Sequence, residues 1–350
     1  FSKAQSDYLI ADSYYNLQNY AKARALYEEF QKNYPSSALL RTAAYSVGWT
    51  YLKSNDFQHA AAIFGELASG KDDIAYNALY RKGQAVRLAG DTKQALDIFG
   101  QVVASRPGGD YADNALYESG MIFFEQKNYD NAIAIFEQIA VKYPLGDVAG
   151  DASRMLGESH LAQKEFGKAL DAFRSVRSAI SADDGVKGEA AFQEGWSLYK
   201  MQKYSNAAVA FASFLKQYPQ HPKATEALFW SGESYFQSEQ FAEAERTYAQ
   251  FAKQGSGHPK LEDGQYGLAW SYFKQGKYRQ AAVTFEQVLA DNRSTRFTFD
   301  AQLRLGDSYY YLKDYPKAAS AYRAAIQSFG SKTGIDYAYY QLAQSDYKSD

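Results

Sequence analysis

Residues 120–157 read GMIFFEQKNYDNAIAIFEQIAVKYPLGDVAGDASRMLG. The stretch runs from Gly120 to Gly157, and within it Tyr129, Ala132, Phe136 and Ile139 follow one another at steps of three and four. That spacing places them on one face of a helix and differs from the alternation of a half-buried strand. The polar segment Gln-Lys-Asn at 126–128 separates this helix from an earlier apolar one, and Pro144 stops it. Two helices therefore fit between one glycine and the next.

The same phrase repeats along the chain. Small residues stand at Ala11, Gly48, Gly83, Gly120, Gly157, Gly195, Gly232, Ala269, Gly306 and Ala343, at spacings between 35 and 38 residues. Twelve residues beyond each of the first nine is an alanine (Ala23, Ala60, Ala95, Ala132, Ala169, Ala207, Ala244, Ala281, Ala318), and four further on an aromatic, from Tyr27 and Phe64 to Phe285 and Tyr322. An aromatic also opens most second helices (Tyr20, Phe57, Tyr129, Phe166, Tyr204, Phe241, Tyr278, Tyr315), with Thr92 standing in the third. Pro35, Pro107, Pro144 and Pro219 share one phase at the end of the unit. A fixed period of this length marks a stack of helix pairs that bury their apolar faces only against neighbours. Glycine in a helix interior costs about 1 kcal/mol relative to alanine, so its recurrence predicts a close helix approach. Ala207→Leu is expected to overpack that crossing by roughly 1–3 kcal/mol, read as a lowered melting temperature.

Composition agrees and narrows the function. The chain has 350 residues, too many for one compact core, with 46% hydrophobic and 22% charged residues. The net charge of −2 removes the electrostatic case for nucleic acid or a polybasic membrane anchor. No run of 18 apolar residues is present to span a bilayer. There is no cysteine, hence no disulfide, thiolate nucleophile or cysteine-bound metal. The 31 tyrosines need an explanation, because a buried hydroxyl requires a partner.

The small residue, aromatic, alanine, aromatic and proline pattern resembles the tetratricopeptide repeat, over essentially the whole chain. The expected architecture is an all-α solenoid, a superhelix of about nine and a half helix-turn-helix units, with a period of about 37 residues in place of 34. The units run approximately 4–40, 41–75, 76–112, 113–149, 150–187, 188–224, 225–261, 262–298, 299–335 and 336–350, the last a terminal helix. Long units ending in Tyr-Pro (34–35, 143–144, 218–219), followed by phrases such as Ala-Leu-Tyr at 115–117, resemble a bacterial extracytoplasmic branch. That branch includes Tol–Pal-associated coordinator proteins and outer-membrane assembly lipoproteins. The resemblance implies a non-catalytic protein-interaction scaffold, in the periplasm or otherwise extracytoplasmic, engaged in envelope assembly; a cytoplasmic location is the alternative. The chain reads equally as a mature form or as a segment of a longer protein.

In this family the inner surface carries the positions three before, one after and four after the small residue. Here the first position holds Tyr45, Tyr80, Tyr117, Arg154, Phe192, Phe229 and Tyr266 among others; the second holds Trp49, Trp196 and Trp270; the third includes Tyr199 and, in the third unit, Arg87. One reading is an aromatic-lined groove for a protein or peptide partner. The other is that these rings pack against the first helices of adjacent units. Arg87 and Arg154 suit a ligand carboxylate, although Glu158 stands one turn from Arg154. Asp151, Glu189, Glu226, Asp263 and Asp300 share a phase near the start of their helices, where a carboxylate favours the helix N-terminus. The family's carboxylate clamp of lysine or arginine with successive asparagines is missing from these positions.

No HExxH pair, Walker loop, GxGxxG turn or GxSxG elbow occurs, so no catalytic site, metal site or cofactor is expected. His160 replaces a packing aromatic, and His221 and His258 occupy equivalent links before proline. Two rivals to peptide binding stand. Aromatics at regular pitch also suit a glycan, as in helical-repeat segments of exopolysaccharide export systems. Incompletely capped ends would allow weak self-association.

Overall fold

A computed structural model describes residues 2–290 and 296–349. Among these residues there are nineteen α-helices and no strand. They fall into two compact units, residues 1–183 and 184–350. The first holds α1 (Lys3–Asn16), α2 (Tyr20–Asn33), α3 (Leu40–Lys53), α4 (Phe57–Leu67), α5 (Asp73–Leu88), α6 (Thr92–Ser105), α7 (Ala112–Glu125), α8 (Tyr129–Lys142), α9 (Ala149–Ala162) and α10 (Phe166–Ser178). The second holds α11 (Asp184–Lys200), α12 (Tyr204–Gln217), α13 (Ala224–Gln237), α14 (Phe241–Gln254), α15 (Leu261–Lys274), α16 (Tyr278–Ala290), α17 (Thr298–Tyr311), α18 (Tyr315–Phe329) and α19 (Ile335–Ser349). Each repeat is one odd-numbered and one even-numbered helix, with α19 alone at the end. The all-α solenoid read from the period is the fold.

The recurring glycine has a direct steric cause. A Cβ built on Gly120 would stand 2.6 Å from the Phe136 ring, and on Gly157 it would stand 2.5 Å from Phe173. Gly48, Gly83, Gly195, Gly232 and Gly306 meet Phe64, Phe99, Phe211, Tyr248 and Tyr322 in the same way, each nearer than 3 Å. The aromatic sixteen residues on thus lies flat against the glycine backbone, and the alanine twelve residues on closes the crossing. All nine of these alanines are fully buried, and the nine aromatics are at most 1% exposed. The core is a row of such crossings, each complete within its own repeat.

The turn inside each repeat follows a second rule. Seven residues after the small residue the backbone enters the left-handed region: Gln18, Asn55, Gly90, Lys127, Lys164, Gln202, Glu239, Gly276 and Lys313 all have positive φ. Only Gly90 and Gly276 adopt it without steric cost; elsewhere a Cβ opposes it by about 1–2 kcal/mol. The next residue caps the second helix, as Asn19, Asp56, Asp91, Asn128 and Asp314 accept hydrogen bonds from the backbone three residues on. Replacing Glu239 (φ 61°) by glycine is expected to relieve that strain and stabilise the repeat by about 0.5–1 kcal/mol, after glycine's greater unfolded-state entropy is subtracted. A urea midpoint that falls in Glu239→Gly contradicts the assignment of strain to this turn.

Within each unit, first helices also reach the first helix of the next repeat: α3 meets α5, α7 meets α9, α11 meets α13, and α13 meets α15. First helices therefore line one continuous face in each unit. No helix among the described residues is long and apolar enough to cross a membrane.

Candidate functional site

Two of the three aromatic stripes pack largely within their own repeat. Rings three before the small residue lie on the second-helix aromatic of their own repeat: Tyr45 on Phe64 at 5.4 Å, Tyr117 on Phe136 at 6.0 Å, and Tyr266 on Phe285 at 6.2 Å between centroids. Tyr80, Phe192 and Phe229 go further and are only 4–5% exposed. These three are core residues in place of groove-lining ones, because each ring covers the edge of a buried neighbour (Phe99, Phe211, Tyr248). The partners lie on the second helix of the same repeat, and the packing alternative also holds in part: Tyr80 stacks on Tyr111 at 4.7 Å and Tyr266 on Phe297 at 4.2 Å, both at the start of the next first helix.

The stripe four after the small residue clasps the turn. Tyr15, Phe124, Tyr199, Phe236, Phe273 and Tyr310 each meet the aromatic that opens the following helix, edge to face, at 5.3–5.6 Å. The third repeat has no such pair: Thr92 replaces the opening ring and Arg87 its mate.

That leaves the stripe one after the small residue. Trp49, Trp196 and Trp270 are partly exposed on the first-helix face. Each carries a cation: Arg81 lies 4.5 Å from the Trp49 ring, Lys200 4.5 Å from Trp196, and Arg304 5.3 Å from Trp270. In residues 1–183 a groove of about 840 Å³ is lined by Trp49, Lys53, Arg81, Gln84, Arg87, Glu118 and Glu125 among others. In residues 184–350 a pocket of about 440 Å³ is lined by Glu233, Phe236, Tyr248, Tyr266, Trp270 and Phe297, and by the charged Asp263, Lys274 and Arg296.

The basic candidates differ from their sequence reading. Arg87 is already paired, with Glu118 and with Glu125 at 2.6 Å. Arg154 stands 3.7 Å from Asp151. Arg81 was not singled out by sequence reasoning, yet its guanidinium stacks near Trp49, Tyr80 and Tyr111 and bonds to Gln84 at 2.6 Å. It makes no ion pair among the described residues. Its signal was its phase, two before the small residue, which gains meaning only once neighbouring first helices are seen in contact.

The acidic ladder works mainly through side chains. Glu189 binds Lys223 at 2.7 Å, Asp263 pairs with Arg296, Glu226 accepts from the Trp230 indole at 3.1 Å, and Asp300 accepts from Tyr266 at 2.5 Å. Glu189 is the sixth residue of α11 and lies beyond the first turn, so it does not act on the helix end.

Part of the tyrosine content has a simple explanation. Where the buried aromatic is tyrosine, the residue one after the small residue is acidic and accepts its hydroxyl: Asp12 from Tyr27, Glu233 from Tyr248 at 2.7 Å, and Asp307 from Tyr322 at 2.7 Å. Burial, reinforced by the carboxylate, pushes all three hydroxyls far above their ordinary range.

The histidines are structural. His160 is buried and bonds to Glu165 at 2.7 Å, while Nδ1 of His221 and of His258 accepts the backbone N–H two residues on. Among the described residues no three acidic or histidine side chains converge as metal ligands do.

A tetratricopeptide repeat profile matches residues 45–110, 89–147, 117–184, 192–259 and 266–332, and a second of the same description matches 5–37. No curated protein matches the chain. Among solved structures it is similar to the C-terminal part of a TPR repeat-containing protein from Cytophaga hutchinsonii, at 14% identity and TM-score 0.55, over 73% of this chain and 98% of that one. It is also similar to the apo form of RapI, at 12% identity and TM-score 0.51, over 89% of this chain and 98% of that one. With the periodic glycine explained by its aromatic and the family profiles matching most of its length, the chain belongs to the tetratricopeptide repeat family and is a protein-interaction scaffold.

Proposed function

We propose that the first-helix face of each unit grips an extended or helical segment of a partner protein, and that the protein serves in bacterial cell-envelope assembly. One observation carries the groove: Trp49, Trp196 and Trp270 are partly exposed on this face, and Trp49 and Trp270 line concave sites. Large rigid rings in a concavity bury much area for few rotors lost, as binding hot spots do. The cations over the indoles favour peptide over glycan. A sugar ring stacks on a bare aromatic face, whereas Arg81, Lys200 and Arg304 already lie over these rings, and Arg81 and Lys200 offer donors to peptide carbonyls and carboxylates. The envelope role rests on the long units closed by Tyr34-Pro35, Tyr143-Pro144 and Tyr218-Pro219.

Trp49→Ala is expected to weaken a peptide bound by residues 1–183, and Trp270→Ala one bound by residues 184–350, each by about tenfold or more. Unchanged affinity in both variants, or indole quenching by oligosaccharides and by no peptide, overturns the groove. Osmotic shock of the source bacterium tests the location: release with periplasmic markers is expected, and retention with cytoplasmic ones overturns it.

A further inference from the structure

A side chain two residues before the small residue bridges to the preceding first helix in several repeats. Arg81 lies over Trp49, Glu118 takes Gln84 at 3.1 Å together with Arg87, Trp230 meets Trp196 at 4.4 Å, and Arg304 lies over Trp270. In α15 this position is Gly267, which has no side chain to send across. The pocket of about 440 Å³ opens there. Its floor is Tyr248, whose ring would stand 2.6 Å from a Cβ on Gly267.

Glu233 also lines the pocket. Its carboxylate accepts from Tyr248 at 2.7 Å, Gln237 at 2.8 Å and Tyr199 at 3.5 Å, all neutral donors, and no cation pairs with it among the described residues. Of the other charged groups lining the pocket, Asp263 and Arg296 pair with each other, and the Lys274 ammonium lies 5.6 Å from the Trp270 ring. Two repeats on, Asp307 occupies the position of Glu233 and binds the equivalent tyrosine, but it also pairs with the guanidinium of Arg304. In the repeat of Glu233, Trp230 stands where Arg304 precedes Asp307, so Glu233 lacks the guanidinium that Asp307 has.

We propose that this notch takes an arginine side chain of the partner segment, its guanidinium paired with Glu233 and stacked among Phe236, Tyr266 and Trp270. The proposal rests on the peptide-groove reading above. A planar cation suits the site because it matches a carboxylate in two bonds and stacks on rings, which an ammonium does less well. A neutral aromatic would instead bury Glu233 without a counter-charge.

The test is selection of phage-displayed nonapeptides on the wild-type protein and on Glu233→Gln, followed by synthesis of the leading peptide with arginine or citrulline. Citrulline keeps the shape and loses the charge. Arginine enriched at one position, an affinity drop of about tenfold with citrulline, and loss of that difference in Glu233→Gln are expected. Because glutamine still accepts the Tyr248 hydroxyl, a matching melting temperature and circular dichroism spectrum will show that the variant is folded. Selected peptides without arginine enrichment, or an equal citrulline effect in both proteins, overturn the arginine notch and leave the groove standing. Failure to select any peptide overturns both.

Discussion

Phe136→Ala is expected to destabilise the first unit by about 3–5 kcal/mol, with the loss concentrated in α7 and α8. Phe136 is fully buried, touches Tyr117 and lies on the backbone of Gly120, which has no side chain to move into the space left behind. The cavity would therefore persist, and the cost lies toward the upper end for a large-to-small change. In a stack whose contacts are between neighbours, the damage stays local. Amide exchange should rise in 112–142 well before it rises in α1 and α2. A uniform rise along residues 2–183 would mean that the unit unfolds as one block, against the nearest-neighbour reading.

A second large effect is expected at high pH. Tyr248 and Tyr322 are fully buried, with hydroxyls held well above their ordinary range by burial and by Glu233 and Asp307. Tyr309 and Tyr337, less enclosed, are each pushed up to about 12, again by burial first and a carboxylate second. In the unfolded chain these hydroxyls ionise near their ordinary value of 10. Above that pH the unfolded state holds fewer protons than the folded one, so stability falls as pH rises. Below it both states are protonated and the contribution is complete. Tyr248 and Tyr322 alone give the second unit a slope of about 3 kcal/mol per pH unit beyond pH ~10 when it unfolds cooperatively. Urea titrations between pH 8 and 12 measure it, and Tyr248→Phe with Tyr322→Phe should flatten it. An equal slope in the doubly substituted protein would show that other groups carry the alkaline transition.

The crossing was legible in the sequence because all its parts lie in one repeat and recur at one spacing: Gly120, Ala132 and Phe136 announce it together. The pairing of Tyr248 with Glu233 was equally present, fifteen residues apart, but only three repeats carry it, too few to stand out as a period. Arg87 was misleading for a different reason. Its partners Glu118 and Glu125 belong to the next repeat, 31 and 38 residues on, and which positions face each other across that boundary depends on how adjacent helices are set. Tyr80, Phe192 and Phe229 were misplaced because one helical phase does not separate a ring that reaches the surface from one that leans onto its own hairpin. The left-handed turns were hidden by their residues: lysine, glutamine and glutamate at Lys127, Gln202 and Glu239 give no sign of positive φ.

The two kinds of polar link divide the molecule's evolutionary freedom. A tyrosine locked to its carboxylate travels intact whenever a whole repeat is duplicated, since donor and acceptor are inherited in one piece of gene. The bridge from Arg81 to Trp49, or from Trp230 to Trp196, joins two different repeats and survives only while those two remain neighbours. Copying a repeat is therefore tolerated, whereas exchanging the places of two is not, and the order of modules is written in the side chains that lean across their seams.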